Sequence, residues 1–248
     1  GLLSEADQGT DLDFNHRLLH AWRAAGKPVF RRSPFRNLIQ EKTYHLFRHP
    51  TLLTLAEDIL GTSELNVHGI FNQRVGLPEA SFTETPWHQD CGDWDLWDEP
   101  IPDGDRSTSI VSMWIPLQRV HKTNGCLQFV SLEETGRDVF PLYDYNKEET
   151  GFTGMSPEDI KGLQPKPMEM DRSDVLMFTE RTAHSSVKNT SEQIRWSIDL
   201  RYEATATATV IGSKYGFVAQ SRLNPESETS CEDWLKQRQI QKPGGSCH

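Results

Sequence analysis

Ile194-Arg195-Trp196-Ser197-Ile198-Asp199-Leu200-Arg201-Tyr202 alternates apolar and polar residues, which is the period of an extended strand. Ile194, Trp196, Ile198, Leu200 and Tyr202 share one face, and Arg195, Ser197, Asp199 and Arg201 share the other. Two readings fit that polar face. It is either the solvated exterior of a sandwich or the lining of a polar barrel interior. In the second case a buried arginine needs an anionic partner, and its planar guanidinium can take a carboxylate bidentately.

Working outward, short β-like segments recur at Leu65 to Val75, Ser109 to Leu117, Cys126 to Ser131 and Val175 to Thr179. Turn signals separate them at Asn124-Gly125, Arg172-Ser173-Asp174 and Lys188-Asn189-Thr190-Ser191, so an antiparallel sandwich or barrel is expected rather than βαβ units. Residues 11 to 60 read as mostly helical. The clearest piece opens on Pro50 and closes on Gly61, with Leu52, Leu55, Ala56, Ile59 and Leu60 forming an apolar stripe. The Ala204 to Thr209 alternation reads as an edge strand or surface extension, and residues 231 to 241 as a last helix with Trp234, Leu235 and Ile240 on its apolar side. Two irregular stretches, Cys91 to Arg106 and Glu133 to Met168, are too long for simple connections, and loops of that length are often functional.

The 248 residues are 35% hydrophobic and 25% charged, with a mean hydropathy of -0.62, a composition of soluble globular chains that excludes extensive disorder. A formal charge of -10 without any basic run argues against a nucleic-acid partner. No apolar stretch is long enough to span a membrane, and the visible N-terminus lacks a signal-peptide pattern. Cys91, Cys126, Cys231 and Cys247 are far apart and read as free thiols. A cytoplasmic, soluble protein is the expectation. Oligomeric state is not legible.

The chemistry begins at Trp87-His88-Gln89-Asp90, since His-x-Asp on an extended chain points both side chains to one side, toward one metal. Alone, this pattern also describes a surface histidine near an aspartate. A second segment, Asp174 to His184, delivers another histidine 96 residues after the first, and Arg195 follows it by 11 residues. Two histidines and one carboxylate leave three open positions on an octahedral ion, the facial triad of non-haem Fe(II) oxygenases. Cys91, next to Asp90, reads as a small buried filler more readily than as a reactive thiol. His16, His20, His45, His49, His68, His121 and His248 lack partners at ligand spacing and are read as structural or exposed.

Residues 45 to 203 resemble the phytanoyl-CoA dioxygenase family of iron- and 2-oxoglutarate-dependent oxygenases. The resemblance rests on the His49-Pro50 helix ending at Gly61, on Trp87-His88-Gln89-Asp90, and on Met113-Trp114-Ile115-Pro116-Leu117 followed by Asn124-Gly125-Cys126-Leu127. Its most specific part is Asp174 to Phe178, His184, Ser186, Asn189, Ser191 and Arg195. Two positions depart from the family pattern. Val130-Ser131-Leu132-Glu133 stands where Pro-Gly-Ser-His is common, and Ser173 stands where a glycine is usual.

The resemblance implies a mainly β fold with flanking helices, a double-stranded β-helix of the cupin-like jelly-roll type, in one domain spanning residues 1–248. Within it, a helical part covers about 11–61, the jelly-roll core about 65–203 and a C-terminal extension about 204–248. It also implies Fe(II) ligands His88, Asp90 and His184, with Arg195 on the distal carboxylate of 2-oxoglutarate, Ser186 and Ser197 as helpers, and Trp114 and Gln73 as further cosubstrate-pocket candidates. The implied reaction uses O2 to hydroxylate an unactivated C–H of a small molecule, with release of succinate and CO2. Relatives that halogenate have a small residue at the aspartate position, so Asp90 favours hydroxylation. The segment Asp93 to Glu99 reads either as acidic surface or as a substrate lid in which Trp94 and Trp97 supply contact area. A non-catalytic metal-binding jelly roll has no need of Arg195, and a zinc hydrolase needs a general base that does not accompany these ligands.

Overall fold

The structure, a computed structural model, describes residues 12–29, 39–93, 110–136, 138–144 and 153–240. The segment holding Trp94 and Trp97, most of the Cys91 to Arg106 stretch, and Cys247 lie outside those residues. Among the described residues three helices come first: α1 (Phe14–Ala24), α2 (Glu41–Phe47) and α3 (Pro50–Leu60). In α3, Pro50 sits where a missing N–H costs nothing, His49 accepts the Thr51 N–H, and Gly61 ends the helix in the left-handed region at φ 67°. The stripe it buries differs from the expected one. Leu52, Leu53 and Ala56 are buried, Leu55 and Leu60 only partly, and Ile59 is exposed.

The strands are β1 (Leu65–Val67), β2 (Asn72–Gly76), β3 (Ile110–Pro116), β4 (Leu127–Phe129), β5 (Tyr143–Asp144), β6 (Thr153–Gly154), β7 (Lys166–Met168), β8 (Leu176–Thr179), β9 (His184–Ser186), β10 (Arg195–Ala204) and β11 (Phe217–Gln220). The segment read as one strand from Leu65 to Val75 is broken between β1 and β2. A larger antiparallel sheet runs β11-β1-β10-β3-β8, with β2 also paired to β10, and a smaller one runs β7-β4-β9. Trp114 and Phe178 of the larger sheet pack against Leu127 and Phe129 of the smaller. This is the jelly roll.

Strand β10 has both faces covered. Leu200 and Tyr202 pack with Tyr44, Phe47, Leu52, Leu53 and Ala56 from α2 and α3, while Trp196 packs with Leu19 and Trp22 of α1. Arg195, Ser197, Asp199 and Arg201 are also buried, on the opposite face, which settles the sequence ambiguity in favour of a polar interior. Beyond β10, Thr205–Thr207 form an exposed 3-10 turn, the surface extension of the two expected alternatives rather than the edge strand, and the strand in this region is β11, an edge of the larger sheet. The last helix, Cys231–Ile240, places Trp234 in the core against Tyr44, Phe47 and Phe217. Cys91 and Cys126 are buried free thiols, and burial pushes Cys91 up to about 12, which makes it a filler rather than a nucleophile.

Both departures from the family pattern have local explanations. Ser131 caps the short helix Leu132–Thr135 by accepting the Glu134 N–H, and Gly136 closes it with φ 64°. Ser173 is not among the non-glycine residues with positive φ, so its turn accepts a side chain.

Candidate metal and cosubstrate site

His88 and His184 are brought together by backbone pairing. Each N–H donates to the other's carbonyl at 3.0 Å, and the ring centroids stand 4.1 Å apart. The chain is extended only as far as His88; Asp90 opens the helical turn Asp90–Asp93, and its carboxylate still turns toward the rings, with Oδ1 3.7 Å from His88 Nε2. One ligand atom from each of His88, Asp90 and His184 lies within 4.8 Å of the others, and all three side chains are buried. Carbonyl oxygens of Pro86 and Thr182, both at 2.9 Å, can only accept, so each histidine carries its proton on Nδ1 and leaves Nε2 as the free donor atom. Two imidazoles and a carboxylate with unprotonated lone pairs facing one point fit a divalent metal such as Fe(II).

Electrostatics keeps His184 and Asp90 in the unprotonated form that a metal would need. Burial pushes His184 down to about 3, helped by His88. Burial alone would raise the Asp90 carboxyl, but Arg201, His184 and His88 outweigh it and hold it below the usual carboxylate range. Aromatic rings wall the histidine side: Phe129, the β4 partner of His184, stacks on it at 5.5 Å, and Phe178 stands at 4.6 Å.

Arg195 is 2% exposed, with no carboxylate in ion-pair reach among the described residues. Its Nε donates to Gly125 O at 3.0 Å and its Nη1 to Ser197 Oγ at 2.7 Å, while Nη2 has no hydrogen-bond partner among the described residues. Burial and nearby Arg74 pull this guanidinium down to about 10. Its Cζ lies 5.8 Å from the Trp114 ring centroid, and the buried Trp114 Nε1 likewise has no partner among the described residues. An unsatisfied guanidinium nitrogen and an unsatisfied indole N–H in one buried interior can receive an anion.

The other expected residues divide. Ser197 orients Arg195, and Trp114 stands opposite Asp199 on the interior face. Ser186 Oγ accepts the Thr85 N–H at 2.7 Å, so it braces the approach to His88. Gln73 is a correction: its register partner is Ile198, and residues directly opposite in a sheet share a face, so it stands on the helix-covered side. The β2 residues on the interior face are Asn72, Arg74 and Gly76. Trp94 and Trp97 lie outside the described residues.

Several contributors were given no role at the site by the sequence reading. A Cβ on Gly76 would stand 3.2 Å from Arg195 Nε and Nη2, so this glycine makes room for the guanidinium. Gly125 at φ 88° lets the Asn124-Gly125 turn present its carbonyl to Arg195. Gln89, between His88 and Asp90, donates at 2.7 Å to both Asp138 O and Arg181 O and accepts Phe140 N–H, tying the segment at residues 138–140 to the site. Asp199 accepts from Asn72, Arg74 and Arg201.

The family model for phytanoyl-CoA dioxygenase (PhyH) matches residues 20–197, most of the chain. The chain belongs to the phytanoyl-CoA dioxygenase family. That family consists of iron- and 2-oxoglutarate-dependent oxygenases, and the His88, Asp90 and His184 donors are the set its chemistry requires. Peroxisomal phytanoyl-CoA dioxygenase of Mus musculus is 25% identical over 163 residues, which cover 63% of this chain and 45% of the relative. The Bos taurus protein of that name is 26% identical over 164 residues, with the same coverage. The chain therefore matches less than half the length of these curated relatives. Among solved structures, the non-heme monooxygenase ThoJ in its apo form has a TM-score of 0.60 at 16% identity, covering 96% of this chain and 87% of that one. EvdO2 from Micromonospora carbonacea var. aurantiaca, complexed with 2-oxoglutarate, has a TM-score of 0.53 at 19% identity, covering 66% and 64%. These two likenesses concern the fold. No helix among the described residues is long and apolar enough to cross a membrane.

Proposed function

We propose that this member of the phytanoyl-CoA dioxygenase family is an Fe(II)- and 2-oxoglutarate-dependent dioxygenase that hydroxylates an unactivated C–H of a small-molecule substrate. His88 Nε2, Asp90 and His184 Nε2 are assigned as the iron ligands. The observation that carries the reading is the pairing, in one buried interior, of these converging ligand atoms with Arg195, a guanidinium lacking a carboxylate partner among the described residues.

When bound, iron with 2-oxoglutarate and O2 supplies the oxidising power for hydroxylation, with succinate and CO2 as coproducts. This chain's residues do the rest. Arg195, aimed by Ser197 and Gly125 O, takes the distal carboxylate of 2-oxoglutarate, and the Trp114 N–H lies on the same side of the interior. Phe129 and Phe178 keep water from the His184 side. Pro86 O and Thr182 O hold the imidazoles in one tautomer through a catalytic cycle. The helices, jelly roll and C-terminal segment are read as one domain, since α2, α3, β11 and Trp234 share a core with the sheet.

A screen of candidate small molecules for stimulated succinate formation, with Fe(II), ascorbate and 2-oxoglutarate, tests the proposal. Stoichiometric succinate and hydroxylated product are expected. Metal binding without 2-oxoglutarate binding would return the chain to a non-catalytic metal-binding module.

A further inference from the structure

A carboxylate has about four lone-pair sites, two on each oxygen, and it meets a metal through whichever sites the protein leaves open. In Asp90, three are already spoken for. Oδ2 accepts Ser112 Oγ at 2.7 Å and Arg201 Nε at 3.2 Å, and Oδ1 accepts Arg201 Nη2 at 3.3 Å. The remaining site is on Oδ1, the oxygen that stands 3.7 Å from His88 Nε2.

The donors are themselves fixed. Ser112 and Arg201 are register partners on β3 and β10, so both reach Asp90 from one face of the sheet. Arg201 is 2% exposed, with Nη2 also donating to Asp199 Oδ2 at 3.3 Å and Nη1 to Ile70 O at 3.4 Å. Asp199 is held in turn by Asn72 at 3.0 Å and Arg74 at 3.1 Å.

From this geometry we propose that Arg201 and Ser112 are positioning residues that restrict Asp90 to one-oxygen ligation, with Asp199 setting the Arg201 fork. The consequence is a count of coordination positions. Three protein atoms on an octahedral ion leave three positions, two for the chelating 2-oxo acid and one for O2. A two-oxygen Asp90 takes a fourth and removes the O2 position. The inference rests on the proposed metal site, and it explains why Arg201 and Asp199 are buried beside it.

The test uses Mn(II) as the probe on the full chain, with water-proton relaxation to count exchangeable waters on the ion and a parallel titration for affinity. Wild type should hold about three waters, and Arg201→Met about two with metal affinity lower by about 10- to 100-fold. Arg201→Lys, which still donates to Oδ2, should restore the wild-type water count with part of the affinity. Ser112→Ala removes only one donor and should weaken the metal in the same direction by less, which keeps the test open if Arg201→Met does not fold. Unchanged water count and affinity in folded Arg201→Met, or unchanged affinity in Ser112→Ala, would overturn the inference while leaving the metal site intact. A wild-type chain that binds no Mn(II) would overturn the reading beneath it.

Discussion

His88 and His184, 96 residues apart in sequence, form a reciprocal backbone bridge in which each donates its N–H to the other's carbonyl at 3.0 Å. Their rings therefore cannot drift independently. The two candidate histidine donors are set by backbone pairing rather than by a flexible loop, which is the preorganisation a metal site needs. Replacing His184 with Ala keeps that backbone bridge and removes one donor. The expected result is a folded chain whose bound Fe(II), measured by metal analysis after gel filtration, falls from one per chain to near none. Retention of a full equivalent would remove His184 from the site.

Arg195→Ala deletes the guanidinium and leaves Gly125 O and Ser197 Oγ without a donor, while His88, Asp90 and His184 remain. 2-Oxoglutarate binding should weaken by about 2 to 4 kcal/mol, as when one partner of a buried charge pair is lost. Calorimetric titration of the Mn(II)-loaded protein reads this directly. Metal affinity should stay near wild type, and equal 2-oxoglutarate affinity in both proteins would contradict the assignment.

Gly76 touches neither metal nor cosubstrate in this account, yet a Cβ there meets Arg195 Nε and Nη2 at 3.2 Å, closer than ordinary contact. Gly76→Ala should push the guanidinium off its aim and raise the Kd for 2-oxoglutarate by about tenfold, with iron binding unchanged. An unaltered Kd would show that Arg195 has slack the structure does not indicate.

These cases show what the sequence could reveal. His88, Asp90, His184 and Arg195 were singled out because Trp87 to Asp90 and Asp174 to Arg195 together resemble the family pattern, and β10 alternation exposed the polar face. Gly76, Ser112, Asn72 and Arg74 were not, because their place depends on which residue of β10 they oppose, and no local spacing encodes that register. Gln73 fell on the wrong face for the same reason, being one residue out of phase with Arg74. The Ala204 to Thr209 alternation left an edge strand and a surface extension open, and the second fits, because its small residues have no apolar face to bury. Glu203 instead draws in the Thr209 N–H at 2.9 Å, and the chain between them turns.

Acid stability should report the buried histidines. Burial, then Arg201, pushes His68 from the ordinary imidazole range down to about 3, and burial does the same to His184. Below about pH 6.5 the unfolded chain takes up protons that the folded one refuses until about pH 3, so stability is complete above that window and falls as pH drops through it. Urea unfolding of the metal-free chain at about pH 7.5 and about pH 5 should show the loss, and His68→Asn should lose less, with His184 left to titrate. Identical losses in both proteins would mean that His68 takes up its proton without unfolding.

The central claim is that one buried interior binds iron and 2-oxoglutarate together, and an anaerobic titration of the Fe(II)-loaded chain with 2-oxoglutarate tests it most directly. The account predicts a weak visible charge-transfer band that saturates at about one 2-oxoglutarate per iron, is absent in His184→Ala, and needs far more 2-oxoglutarate in Arg195→Ala. A wild-type chain that holds its iron and takes up 2-oxoglutarate without developing that band would contradict it.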